Sequence, residues 1–167
     1  MTTQTMTEKD MFLKSLNDEY EITRRTLAAI PAGHEDFRPA PRSRTLRELV
    51  FIFAAEQQLI EHAMDPGFEP VGPPPAPPLP ITELIKMYEQ GHRAAVAKVS
   101  AMSNDAFNRT LKFLVGPRQL GDVRYADVGW LMLRDAIHHR GQLSIYIRML
   151  DGKLSSIYGP TADEPWN

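Results

Sequence analysis

Apolar residues recur at steps of three and four along four long stretches of this chain, which is the spacing of one face of an α-helix. The repeats predict helices over about 7–30, 45–64, 81–102 and 125–150. Prolines end the first two stretches, and a proline-rich loop excludes helix before the third. Four amphipathic helices within 167 residues predict an all-α four-helix bundle that forms a single domain over residues 1–167.

The segment 103–124 does not share this helical pattern. Its apolar residues alternate loosely, and Gly116-Pro117 is typical of a turn. The sequence therefore predicts a short extended or irregular crossover before the last helix.

Composition narrows the classes of function and location. A formal net charge of −2 does not favour a nucleic-acid partner. The absence of cysteine excludes disulfides, thiolate ligands and a cysteine nucleophile, and it fits a cytoplasmic protein. Residues 1–10 lack the apolar centre of a signal peptide, and no apolar run approaches the roughly 20 residues that span a bilayer. We therefore expect a cytoplasmic location and no membrane contact.

Polar residues interrupt the apolar stripes of the last three predicted helices near their midpoints. They are Glu56 on the second helix, His92 on the third, and Asp135 with His139 on the fourth. If neighbouring helices run antiparallel, all four residues lie at a similar level along the bundle axis. Helix bundles form metal sites in this way, from carboxylates and imidazoles on facing helices. These ligand types suit zinc, nickel, iron or manganese.

Simpler interpretations of the same residues stay open. His92 fits a histidine that is hydrogen-bonded in the core. Asp135 could accept a hydrogen bond from His139 without either residue binding a metal. Glu56 could lie at the edge of the helix interface and reach water. No nucleophile motif, glycine-rich phosphate loop or H-E-x-x-H motif competes with the metal hypothesis.

Three motifs resemble the DinB/YfiT-like family of metal-dependent four-helix bundles, and the resemblance extends over nearly the whole chain. They are HHRGQLSIYIRML at 138–150, Glu-Leu-Val at 48–50 and YGPTADE at 158–164. The resemblance implies a divalent metal held by three histidines, one on the second helix and two at i, i+4 on the fourth. In some relatives the metal activates a low-molecular-weight thiol for transfer or isomerisation.

Transferring the ligands residue by residue gives an altered set. His139 matches the last histidine, Asp135 stands at the other position of the fourth helix, and Ile52 stands at the position on the second helix. Glu56 lies one turn beyond Ile52 on nearly the same face and could supply a third ligand, as could His92.

We therefore expect a pocket between the second and fourth predicted helices, with a divalent metal and transferase or hydrolase chemistry on an unknown small molecule. The alternative is a metal-free, non-catalytic bundle that acts as a binding or stress-related module. The resemblance also implies a homodimer, for which Phe51, Ile145 and Ile147 are expected to be exposed apolar contacts.

Overall fold

Four long helices dominate the computed structural model of the chain, which describes residues 5–72 and 74–166. The elements in chain order are α1 (Glu8–Ala28), α2 (Leu46–His62), α3 (Ile81–Ala101), a one-turn α4 (Asn104–Phe107), β1 (Thr110–Gly116), β2 (Gln119–Arg124) and α5 (Tyr125–Met149). Helix α2 packs against α3 and α5, and α1 packs against the same two helices, so the four close into a ring. The all-α prediction is confirmed. No helix of the described residues is long and apolar enough to cross a membrane.

Capping boxes begin the first two helices. The Thr7 side chain accepts from the backbone N–H of Asp10, and the Asp10 carboxylate accepts from the backbone N–H of Thr7. Thr45 and Glu48 make the same reciprocal pair at the start of α2. Each box satisfies backbone donors that a helix start leaves free, so these threonines fix where the helices begin.

The core consists of two apolar clusters stacked along the bundle. One contains the first half of α2 and the second half of α5, and the other contains Ile60 and Ala63 with the first half of α5. Every member of the stripe that the sequence predicts on α2 is buried, namely Leu46, Leu49, Phe53, Glu56, Ile60 and Ala63. Glu56 follows the α2 residues of the first cluster and precedes those of the second, so it lies at the junction of the two clusters.

The segment before α5 is more regular than the predicted crossover. Strands β1 and β2 form an antiparallel hairpin with Leu111 opposite Val123 and Phe113 opposite Gly121. The turn follows Gly116 and places Arg118 at a φ of 60°, in the left-handed region. The loose alternation of apolar residues in this segment therefore reflects the two-residue repeat of β-strands. Phe113 is the one buried residue of the two strands.

The buried face of α5 differs from the stripe that the sequence predicts, which consists of Val128, Met132, Asp135, His139, Gln142, Tyr146 and Met149. The buried face is centred on Leu133, Ala136, Arg140, Leu143 and Ile147, whereas Met149 is 53% exposed. Arg140 is 1% exposed, and its guanidinium pairs with Glu19 at 2.7 Å and donates to Thr23 Oγ1 at 3.0 Å. It also donates to the hydroxyl of Tyr158, which attaches the C-terminal segment to the bundle.

Two of the three residues behind the homodimer expectation are not on the surface. Phe51 is buried, as are all residues of α2 from Leu49 to Ala54. Ile147 is buried on the face of α5 that packs into the core. Only Ile145 is exposed, at 56%. The homodimer stays a prediction with weaker support.

Candidate metal centre

Three potential metal ligands converge where α2 meets α5. Nδ1 of His139 lies 3.2 Å from Oε1 of Glu56 and 3.7 Å from Oδ2 of Asp135. Asp135 and His139 are one turn apart on α5, so their side chains share a face, and the contact between α2 and α5 brings Glu56 to them. One ligand atom from each residue lies within 4.8 Å of the others.

Burial shapes the ionisation of this cluster. Glu56 is 5% exposed, and burial, with the nearby Asp135 carboxylate, raises the pKa of its carboxyl well above the usual range. Burial lowers the pKa of His139, an effect that the charge of Asp135 opposes. Without a cation, the cluster therefore favours a neutral carboxyl on Glu56 and a neutral imidazole on His139.

The spacing and chemistry of these donors fit a divalent ion. A tetrahedral ion with metal–ligand bonds of about 2.1 Å holds its donor atoms about 3.4 Å apart, close to the two distances measured from His139. Oε2 of Glu56 is buried and has no hydrogen-bond partner among the described residues. A buried polar atom without a partner is costly, and a cation would satisfy it.

A cavity of about 490 Å³ opens beside these donors. Glu56 and Asp135 lie in its lining with residues of α2, the α2–α3 loop, β1 and α5. Most of the lining is apolar, including Ile52, Leu59, Phe68, Phe113, Leu131 and Met132. Glu56 and Asp135 can therefore be reached from an apolar chamber, whereas His139 lies behind them and is not among the lining residues.

Ile52 lines the same cavity one turn before Glu56. This is the position at which the resemblance places a histidine, so the wall is apolar where a further ligand would stand. The structure thus brings together Glu56, Asp135 and His139 of the four sequence-predicted ligands.

His92 lies elsewhere. Its Nε2–H donates to Oδ1 of Asn17 at 3.1 Å, and its ring stacks on Tyr20 with centroids 3.8 Å apart. Burial lowers the pKa of His92 to about 4, so the ring is neutral. The position of His92 along α3, near the middle of the helix, was predictable from the helical periodicity. Because α3 packs mainly on α2 and α1, however, the ring faces α1 instead of α5.

Phe68 and Phe113 are cavity residues that the sequence did not assign to the site. Phe113 comes from β1 and Phe68 from the α2–α3 loop. The alternation around Phe113 was a usable signal for a strand with one buried face. Nothing local in the sequence marks Phe68 as part of the cavity.

The raised pKa of Glu56 gives a pH prediction for the metal-free chain. The unfolded chain ionises this carboxyl near its ordinary pKa of about 4.3, whereas the folded protein holds the proton to higher pH. The contribution of Glu56 to stability is therefore present at acid pH and lost as the pH rises through the folded pKa. Urea unfolding with chelator should show the stability of the native chain falling relative to Glu56→Gln as the pH increases.

The titration of His139 has to be separated from that of Glu56. The lowered pKa of His139 acts in the opposite sense, because its contribution is lost as the pH falls. Since Nδ1 of His139 lies 3.2 Å from Oε1 of Glu56, this contribution does not cancel between the two proteins, so the comparison is made in a His139→Asn background that removes it. A difference in stability that did not change with pH would contradict the assignment of a raised pKa to Glu56.

Comparisons with known proteins identify the fold. No family model matches the sequence, and no curated protein matches it. The DinB-like protein YjoA from Bacillus subtilis is 17% identical, with a TM-score of 0.62 over 89% of this chain and 97% of that chain. A DinB-like protein from Bacillus cereus is 19% identical, with a TM-score of 0.70 over 88% of this chain and 95% of that chain. At these identities the similarity establishes a shared fold.

Proposed function

From the DinB-like fold of this chain and the donors between α2 and α5, we propose that it binds one divalent transition-metal ion and acts on a small molecule in the adjacent cavity. Glu56, Asp135 and His139 are the proposed ligands. Two carboxylates and one imidazole suit zinc, iron, manganese or nickel. The proposed activity is that of a metal-dependent transferase or hydrolase.

The single observation that carries this proposal is the convergence of three donors, among which Glu56 has a buried Oε2 without a hydrogen-bond partner in the described part of the chain. Three protein ligands beside an open cavity are typical of catalytic metal sites, which keep a position for substrate or water. When bound, the ion would act as a Lewis acid or lower the pKa of a coordinated water or thiol.

The protein residues have separate tasks in this arrangement. Glu56 and His139 lie in the core and fix the position of the site relative to α2 and α5. The side chain of Asp135 is 44% exposed at the cavity, so it can adjust when a ligand enters. The apolar walls exclude water from the substrate and strengthen electrostatic interactions at the donors.

Metal titration of protein prepared without an affinity tag tests this proposal. We expect calorimetry to show one zinc or cobalt ion per chain, and Asp135→Asn to weaken binding roughly tenfold, or about 1.4 kcal/mol, because it removes one charged ligand. Asp127→Asn is the matched control, since Asp127 lies on the same helix but pairs with Arg124. The absence of binding, or equal losses in both variants, would refute the site.

One observation favours a second candidate function. The 3.2 Å contact between His139 and Glu56 is also the hydrogen bond that a metal-free pair would make. In that case the chain would be a non-catalytic bundle that binds a small molecule in the same cavity. A chelator that left the melting temperature unchanged, with no metal in the purified protein, would support this alternative.

A further inference from the structure

We infer that the substrate of this site has a single metal-binding head group and an uncharged, apolar body. This inference rests on the proposed function, because the head group would bind at the ion held by Glu56, Asp135 and His139. The body would occupy the cavity of about 490 Å³, a volume within the range of about 300–1,000 Å³ that is usual for small-molecule sites.

The mouth of the cavity supports an apolar body. Val71, Leu114 and Leu131 line the cavity and are 71%, 36% and 46% exposed. They come from three separate elements, the α2–α3 loop, β1 and α5, and converge at one opening. Apolar side chains that cluster around a pocket at the surface mark a binding site for apolar groups. The apolar surface therefore continues from the interior of the cavity to its rim.

The charges around the cavity argue against an anionic body. The charged side chains that line it are the carboxylates Glu56, Glu69 and Asp135, and the described lining contains no lysine or arginine. The one basic side chain in the described lining is His62, whose Nδ1 is already 2.7 Å from Oδ2 of Asp65. A second negative charge on the substrate would face acids and apolar walls with no partner, which is strongly unfavourable.

A thiol series on the cobalt-loaded protein tests this inference, because thiolate ligation changes the absorption spectrum of cobalt. Butanethiol, pentanethiol and hexanethiol form one arm, and the ω-mercapto carboxylates of matched chain length form the other. We expect about fourfold tighter binding for each added methylene, as apolar burial predicts. We expect the carboxylates to bind at least tenfold more weakly than the matched alkanethiols.

A charge introduced at the rim provides the second measurement. Leu131→Lys should remove most of the preference for alkanethiols, since it places a cation at the cavity mouth without altering a proposed ligand. Ile145→Lys is the control, because Ile145 is comparably exposed on the same helix and is not a cavity residue. It should leave the preference unchanged.

The outcomes separate this inference from the proposed function. Cobalt binding without a chain-length trend, or with equal affinity for the two arms, would overturn the apolar substrate and leave the metal site intact. A similar response to Leu131→Lys and Ile145→Lys would also overturn it. Failure to take up cobalt would refute the metal site and this inference together.

Discussion

Replacing Arg140 by alanine is expected to lower the free energy of unfolding by roughly 3–5 kcal/mol, the usual cost of removing one partner from a buried ion pair. Arg140 is almost fully buried, and its partner Glu19 is only 18% exposed in its side chain. The substitution would leave that carboxylate without its cation and Thr23 Oγ1 without its donor. It would also remove one of the two hydrogen-bond partners of the Tyr158 hydroxyl and leave Glu19 as the other, so the chain around Tyr158 should become more accessible to protease. Urea unfolding measures the first effect and limited proteolysis the second.

An exposed arginine on α1 supplies the control for this prediction. Arg24 pairs with Glu21 at the surface, where such pairs contribute at most about 1 kcal/mol. Arg24→Ala should therefore change stability far less than Arg140→Ala. A loss under about 1 kcal/mol for Arg140→Ala would mean that its guanidinium reaches water and is not part of a buried ion pair.

Replacing Ile52 by histidine is expected to increase zinc affinity roughly 100-fold, or about 2.7 kcal/mol. Ile52 lines the cavity one helical turn before Glu56, so an imidazole there would lie on the same face as the proposed ligands. It would raise the number of protein ligands from three to four, the number found in closed structural zinc sites. Calorimetric titration of both proteins measures the change, and any catalytic activity should decrease as the open position closes.

Gln58→His is the matched control for the new ligand. Gln58 also lies on α2 and lines the cavity, but it is two residues from Glu56 and so does not share its face. Its substitution should leave zinc affinity within about threefold of the native value, which is under about 1 kcal/mol. Equal affinities for Ile52→His and the native chain would show that position 52 does not reach the proposed ligands.

Much of the site was predictable because helical periodicity identifies which side chains face inward. Glu56 stands in an apolar stripe whose members are all buried, so its own burial followed from its neighbours. Asp135 and His139 were predictable as a pair because residues four apart share a helix face. Their convergence with Glu56 required only that α2 and α5 be neighbours, which the resemblance to a known family implied.

His92 and Arg140 show where this reasoning failed. Periodicity gives the height of His92 along α3 but not the neighbour it faces, which depends on the order of helices around the ring. Arg140 stands three or four residues from Ala136 and Leu143, at a core position of α5, yet arginine is rarely buried, and its burial was not predicted. The pairing with Glu19 that makes its burial favourable spans 121 residues of sequence and has no local signal.

The walls of the cavity differ in how firmly they are held. Its donors stand on long helices, whereas Phe113 and Leu114 belong to a two-stranded hairpin, an element that is marginal on its own. Amide hydrogens of β1 and β2 should therefore exchange with solvent through local opening well before those of α2 and α5. Substitutions in the hairpin could reshape the chamber for molecules of different size while the helices that hold the donors keep their geometry. Under the proposed function, the choice of substrate and the binding of metal would therefore depend on separate elements of the fold.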